Sequence, residues 1–242
     1  MARDTALQAR AARTGETVFS IYSWIRPTLS LGRNQPASGL YDLGKLRAAG
    51  IDVVRRPTGG RAILHHREVT YSVTSPVRDA APLRETYSRI NRILQTGLSQ
   101  LGVSVEPVPR SLPNRTPGAQ SCFETPGEGE LVAQGSKLVG SAQWRDDGAL
   151  LQHGSILVND DQSQLTVFAA GAQEGRALIP APATLNALLG RSPDANEVAS
   201  AMFDAVRSLE DEDATALDED DVRDEMLEHV PHFLDEDWTW RR

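Results

Sequence analysis

A single cysteine, Cys122, stands in 242 residues. With one thiol the chain cannot close an internal disulfide, and it cannot supply the cysteine clusters of a structural zinc or iron–sulfur site. A reducing, cytoplasmic setting is the natural expectation. Long apolar runs are missing too: no stretch of about 18 apolar residues is present to cross a membrane. The opening MARDTALQARAARTGE carries charge throughout and lacks the apolar centre of an export signal. Neither the phosphate-binding GxxxxGK[ST] nor the dinucleotide GxGxxG occurs, so no P-loop and no dinucleotide fold is expected. Repeats and heptads are also absent.

What is present is the composition of an ordinary soluble globular protein, 40% hydrophobic and 24% charged. A chain of this length buries roughly 70 to 75% of its unfolded surface, enough for a core without staples. The net charge of -8 is unevenly spread: residues 1 to 100 hold 15 basic against 7 acidic side chains, and residues 191 to 242 hold 5 against 17. An acidic partner suits the early segment, whereas nucleic acid is repelled by the tail and is not expected as a partner. With no association motif in view, a monomer is the default.

Periodicity and punctuation divide the chain. Residues 3 to 13 read as a helix stopped by Gly15, followed by strands at 18 to 24 and 28 to 32. Asp42 is placed to cap a short helix ending at Gly50, and strands follow at 51 to 55, 61 to 64 and 69 to 74. Leu83, Tyr87, Ile90, Leu94, Leu98 and Leu101 recur at three and four and predict the longest helix. Strands are expected at 103 to 108, 130 to 134, 137 to 143 and 149 to 158, the last two joined by the hairpin signal Asp146-Asp147-Gly148. Two helices follow, at 183 to 189 and 196 to 209. Composition then changes at EDEDATALDEDDVRDE, read as a solvated linker and a charged helix with Pro231 to Phe233 docking it back. The expectation is α+β: a domain over 1–209, with 210–242 an acidic segment folded against it.

Three places are candidates for chemistry. In Arg55-Arg56-Pro57-Thr58-Gly59-Gly60-Arg61 the proline and glycines allow close backbone approach, and the arginines can orient anionic groups. By local chemistry the stretch fits either a ligand loop or an arginine-rich surface turn. His65 and His66 point to opposite faces of a strand, so neither they nor His153 make a convincing metal set. His153 receives no role beyond structure or proximity. Cys122 is a better nucleophile candidate than any serine because about 3% of a free thiol is thiolate at pH 7; taken alone, a single cysteine is more often a small buried hydrophobe. Lys137, beside the turn Gly135-Ser136, offers a charge for a carbonyl oxygen, or reads as a surface strand residue. Two such signals gain weight only if the fold brings them together.

The segments RRPTGGRAILHHREVTYSV (55 to 73) and CFETPGEGELVAQGSKLVGSAQWRDDGALLQHGSILVN (122 to 159), with SLGRNQ (30 to 35) and EDWTWRR (236 to 242), resemble the biotin/lipoate protein ligase family. Within it they are similar to the cysteine-dependent octanoyltransferase branch that resembles lipoate-protein ligase A. The resemblance implies an α+β catalytic domain of the class II aminoacyl-tRNA synthetase and biotin synthetase type, with a central mixed or antiparallel sheet flanked by helices. It implies transfer of octanoate from octanoyl-acyl carrier protein, through a Cys122 thioester, to a lysine of glycine-cleavage H protein or a 2-oxoacid dehydrogenase lipoyl domain. No cofactor and no metal are implied. By the same resemblance Cys122 is the nucleophile, and Lys137 orients the carbonyl or assists proton transfer. Arg56, Gly59, Gly60 and His65 form the pocket loop, Gly140, Ser141 and Ala142 shape its wall, and Thr58 and Gln143 are weaker pocket candidates. Two departures stand out: Arg61 replaces the third glycine usual in ATP-dependent ligases, and the N-terminal strand of some relatives is missing. An amidotransferase taking octanoate from H protein, and an ATP-dependent lipoate ligase, are the alternative activities.

Overall fold

In a computed structural model, residues 1–37, 39–77, 82–109, 123, 127–170 and 181–241 are described. Helix α1 (Ala2–Thr14) ends at Gly15, whose φ of 79° is the left-handed stop expected of it. The strands β1 (Val18–Tyr22) and β2 (Thr28–Leu31) and the helix α2 (Leu43–Ala48) follow, the last capped by Asp42 through the Lys45 N–H. β3 (Asp52–Arg55), β4 (Ile63–His65) and β5 (Glu68–Pro76) lead into α3 (Leu83–Gln100). Next come β6 (Glu106–Pro107), β7 (Leu131–Ala133), β8 (Ser136–Asp146) and β9 (Ala149–Leu157). Five helices close the chain: α4 (Leu165–Phe168), α5 (Leu185–Leu189), α6 (Ala195–Leu209), α7 (Asp220–Leu234) and α8 (Glu236–Thr239). β6 is shorter than the alternation of 103 to 108 predicts: only Glu106 and Pro107 pair with β7, and past them the Val108 N–H still bonds the Glu130 carbonyl. α4 was not foreseen; its Leu165 and Phe168 are drawn into a core cluster beside α2. Among the described residues no helix is long and apolar enough to cross a membrane.

Two sheets build the domain. The large one is antiparallel, in the order β1-β5-β9-β8-β7-β6, and the small one, β3-β2-β4, is mixed. Period-two alternation gives the large sheet two different faces. Val69, Tyr71, Val73, Val139 and Ile156 meet Ile90, Leu94 and Leu98 of α3 and Val198 and Met202 of α6 in the main core. Each such fully buried aliphatic contributes about 1.5–3 kcal/mol. The opposite face carries His153 and Ser155. It is covered by α1, whose Gln8 reaches the Ala149 carbonyl, and by the small sheet, where Ile63 packs with Leu157 and Phe123. The candidate site lies between the two sheets.

One irregularity decides what Lys137 faces. Leu131 pairs with Val139 but its neighbour Val132 pairs with Lys137, so β8 carries an extra residue. Unbroken alternation would put Lys137 on the side of Val139, in the helical core. The bulge returns it to the side of Gly140, while Leu138 and Val139 both enter the main core.

The charge asymmetry is partly consumed within the molecule. Arg3 of α1 pairs with Glu219 at 2.7 Å, and Arg10 and Arg13 reach Glu225 at 3.5 and 2.8 Å on α7. The basic early segment is therefore less available to a partner than its count suggests. The C-terminal backbone is held by Arg55, fully buried, whose guanidinium donates to the carbonyls of Gly32, Arg33, Gln35, Trp238, Thr239 and Arg241.

Candidate functional site

The loop after β3 is built around a second buried arginine. Arg56 donates to the carbonyls of Ser30, Gly59 and Arg61 and to Ser30 Oγ, at 2.7 to 3.1 Å. Gly60 has φ 96°, and a Cβ on Gly32 would stand 1.9 Å from the Gly60 carbonyl oxygen, so strand and loop approach as only glycine permits. The expectation that Arg55 and Arg56 orient anionic groups is corrected here for Arg55. Its guanidinium is spent on six backbone carbonyls.

Beside this loop lies a cavity of about 90 Å³, its wall largely apolar. Of the predicted residues, Arg56, Gly60, His65, Gly140, Ser141 and Ala142 line it. Glu130, His153 and Ser155 line it as well and were not assigned from the sequence.

His65 is 4% exposed and locked on three sides. Its Nδ1 lies 3.1 Å from Glu68 Oε1, its Nε2 2.8 Å from Ser30 Oγ, and the Trp24 indole stacks on its ring at 4.3 Å. Trp24 in turn donates to Thr70 Oγ1 at 2.9 Å. Both nitrogens of His65 are hydrogen-bonded and its ring is covered by Trp24, so its part is to shape the wall. His66 points away, 47% exposed, 3.4 Å from Asp161, as expected of adjacent strand residues.

A second relay stands on the other side. Thr58 Oγ1 is 2.6 Å from His153 Nε2, and His153 Nδ1 is 3.0 Å from Asp4 Oδ2, which also accepts from Tyr22 at 2.9 Å. Burial alone would raise the Asp4 pKa. The hydrogen bond from His153, the nearby α-amino group and Tyr22 reverse this and hold it well below the usual carboxylate range. Burial lowers the His153 pKa, against the pull of Asp4. The ring is therefore neutral at neutral pH, donating to Asp4 from Nδ1 with its lone pair on Nε2.

Lys137 is 2% exposed, contrary to the surface reading open to it from local sequence. Its Nζ lies 2.5 Å from Glu130 Oε1 and 4.9 Å from the Phe123 ring centroid. The other Glu130 oxygen accepts the Gly127 N–H at 2.5 Å. Hairpin arithmetic was the signal for Glu130: Lys137 pairs with Val132, and Glu130 is the diagonal neighbour two residues on. A Cβ on Gly140 would meet Lys137 Cε at 3.0 Å and Phe123 Cζ at 3.1 Å, so glycine makes the room in which the ammonium sits. Ser141 turns its hydroxyl to Tyr71 at 2.6 Å. Gln143, a weaker pocket candidate, bonds Gln152 at 2.8 Å and does not line the cavity. Thr58 reaches the cavity only through His153, and Gly59 serves by offering its carbonyl to Arg56. Cys122 lies outside the described residues. Phe123, its neighbour in the chain, is 3% exposed against Lys137 and Gly140.

Comparison with known proteins extends over the whole chain. Residues 1–229 match the lipoyl protein ligase A/B catalytic domain. The chain is 40% identical over 169 residues to octanoyltransferase LipM of Carboxydothermus hydrogenoformans, covering 68% of this chain and 62% of that one. To the same-named protein of Kyrpidia tusciae it is 42% identical over 176 residues, covering 68% and 63%. The chain thus spans a little over three fifths of these relatives. With octanoyltransferase LipM of an Exiguobacterium species the match, 35% identical over 260 residues, covers all of this chain and 93% of the relative. A lipoate-protein ligase A bound with ATP superimposes with a TM-score of 0.77 at 19% identity, over 99% of this chain and 92% of that one. A bipartite lipoate protein ligase of Thermoplasma acidophilum, solved in work on its lipoylation system and E2 lipoyl domain, gives 0.77 at 20% identity, over 99% and 89%. At that identity the likeness is one of fold.

Proposed function

The chain belongs to the lipoyl protein ligase A/B catalytic-domain family, and we propose that it is an octanoyltransferase working through a Cys122 thioester. The donor is octanoyl-acyl carrier protein, and the acceptor is a lysine of a lipoyl-carrier domain, such as glycine-cleavage H protein or a 2-oxoacid dehydrogenase lipoyl domain. The LipM relatives supply the reaction class. The observation that carries the reading is the burial of Phe123, next in the chain to Cys122, against Lys137 and against Gly140, of which Gly140 lines the cavity.

Cys122 sulfur attacks the thioester carbonyl, the carrier thiol departs, and octanoate remains on the enzyme as a new thioester. Lys137 supplies positive charge to the carbonyl oxygen as it becomes an oxyanion, and Glu130 fixes the ammonium in place. The largely apolar cavity suits an eight-carbon chain. The acceptor amine then attacks the enzyme thioester, forming the amide and restoring the thiol.

The test is intact mass after mixing protein with octanoyl-acyl carrier protein, with and without ATP. Wild type gains one hydroxylamine-sensitive octanoyl group without ATP, and Cys122→Ala gains none. Equal labelling of the two, or labelling only with ATP, removes the proposal. Presenting octanoyl-H protein in a parallel reaction identifies the preferred donor.

A further inference from the structure

The second half of the proposed reaction has a proton to dispose of, and this inference rests on that reading. An acceptor lysine with a pKa of about 10.4 arrives at pH 7 as an ammonium, with only about 0.04% in the nucleophilic form. Exchange of octanoate between two thiols releases no net proton; aminolysis of the enzyme thioester by an ammonium releases one. With Lys137 held against Glu130 as the charge for the carbonyl oxygen, rather than in the proton-transfer role also open to it, the proton needs another acceptor.

We propose that His153 is the general base for the acceptor lysine, with Asp4 as the residue that orients it. His153 lines the cavity, and its cross-strand partner Ala142 is two residues along β8 from Gly140, beside which the Lys137 ammonium sits. Ala142 pairs with His153 and Gly140 with Ser155, and a Cβ on Gly140 would lie 3.2 Å from Lys137 Nζ. Two strand residues span about 7 Å, room for a thioester carbonyl with the ammonium on one side and the imidazole on the other. Asp4 fixes the tautomer, so the lone pair is on Nε2. In the resting site that lone pair accepts from Thr58. The charged N–H of the acceptor displaces the hydroxyl, because charge-assisted hydrogen bonds are about twice as strong as neutral ones. His65 is less suited: its Nε2 faces Ser30, which is itself held by Arg56.

The step balances as follows. Nε2 takes one proton from the ammonium, and the freed amine attacks the thioester carbonyl. The carbon–sulfur bond breaks, the second nitrogen proton passes to the Cys122 thiolate, and imidazolium returns its proton to solvent. The charged or titratable groups facing His153 are Asp4 and the α-amino group from α1, Tyr22 of β1 through Asp4, and Arg56 from the loop. Burial keeps the ring neutral, as a base must be before it acts.

The experiment separates the half-reactions of His153→Gln. Cys122 acylation from octanoyl-acyl carrier protein is followed by mass, and single-turnover transfer from isolated octanoyl-enzyme to H protein is followed from pH 6.5 to 9.5. Because His153 also lines the cavity, acylation is expected to slow somewhat, by a factor at least about tenfold smaller than the loss in transfer. Transfer is expected to fall about 10²- to 10⁴-fold at pH 7, the usual worth of a general base. It should recover tenfold per pH unit as the acceptor deprotonates unaided. Hydroxylamine, neutral at pH 7, should strip both octanoyl-enzymes at similar rates. Equal slowing of both half-reactions, transfer at the wild-type rate, or a loss without the pH slope overturns the assignment. If His153→Gln does not fold, Asp4→Asn is read by the same criteria and should show a smaller loss with the same slope. Failure of wild type to form any Cys122 adduct overturns the covalent reading itself, and this inference with it.

Discussion

Gly154→Ala tests whether the wall of the cavity is set by backbone contact between β8 and β9. A Cβ at position 154 would stand 2.2 Å from the Gly140 carbonyl oxygen and 2.7 Å from Tyr71 Cε1, where ordinary contact begins at 3.4 Å. The obstructing oxygen is backbone, so no rotamer relieves it, and Tyr71 is pinned by Ser141 and Gln152. β8 must then move by about 1 Å, a small-to-large change inside a packed core that costs about 1–3 kcal/mol. For a chain of this size that lowers Tm by about 2–4 °C per kcal/mol, so a fall of 2–12 °C is expected. Because the displaced strand carries Gly140 and Lys137, Cys122 acylation should fall by about 100-fold, the order expected of a 1 Å misplacement. Gly148→Ala is the control: its φ of 81° strains an alanine, by about 1–2 kcal/mol, but nothing lies within 4 Å. Calorimetry and the mass assay on the same samples decide it. Wild-type Tm and acylation rate in Gly154→Ala would refute the claim that this crossing places the site.

Lys137→Met should cost about 3–5 kcal/mol by leaving the Glu130 carboxylate uncompensated, whereas Lys137→Met with Glu130→Leu should cost clearly less; denaturant titration of the singles and the double gives the cycle. Both forms lacking Lys137 should acylate Cys122 about 10²- to 10³-fold more slowly. Arg55→Lys exchanges a planar five-donor fork for three donors. It should lower Tm and speed deuterium uptake at 238 to 241, whose carbonyls it grips; unchanged exchange there would remove the tether. The stability of wild type should fall on acidification in two stages. His153, its folded pKa lowered chiefly by burial, withdraws stability as pH drops below about 6.5, and Asp4, held low by His153, withdraws more below about 4. His153→Gln should flatten the first stage in Tm measured against pH, and an unaltered profile would contradict the buried neutral ring.

Legibility varied with how local the cause was. Gly15, the Asp42 cap, the Asp146-Asp147-Gly148 hairpin and the Ile90, Leu94 and Leu98 stripe of α3 were readable because each depends on neighbours within a turn or two, whereas Leu83, placed on the same stripe, is 41% exposed. Lys137 was legible as a candidate but its burial was not, since a bulge set by a single slipped pair decides which face it takes. The Asp4–His153 pair joins residues 149 apart in sequence, and no pattern in either segment announces the other. The charge split suggested a surface for an acidic partner; in the fold, part of it is α1 pairing with α7. The octanoyltransferase expectation came from whole-segment resemblance, which the LipM relatives support, while the position of Cys122 falls outside the described residues.

The grip of Arg55 on the chain end has a consequence for how the sequence is free to drift. A guanidinium that reads only main-chain oxygens sets no condition on the side chains at 239 and 241; what restricts them is their own surroundings, the burial of Thr239 and the bond of Arg241 to the Arg33 carbonyl. Residue 55 itself is given no such latitude, because one side chain must satisfy both the strand–loop crossing at Gly32 and the returning terminus.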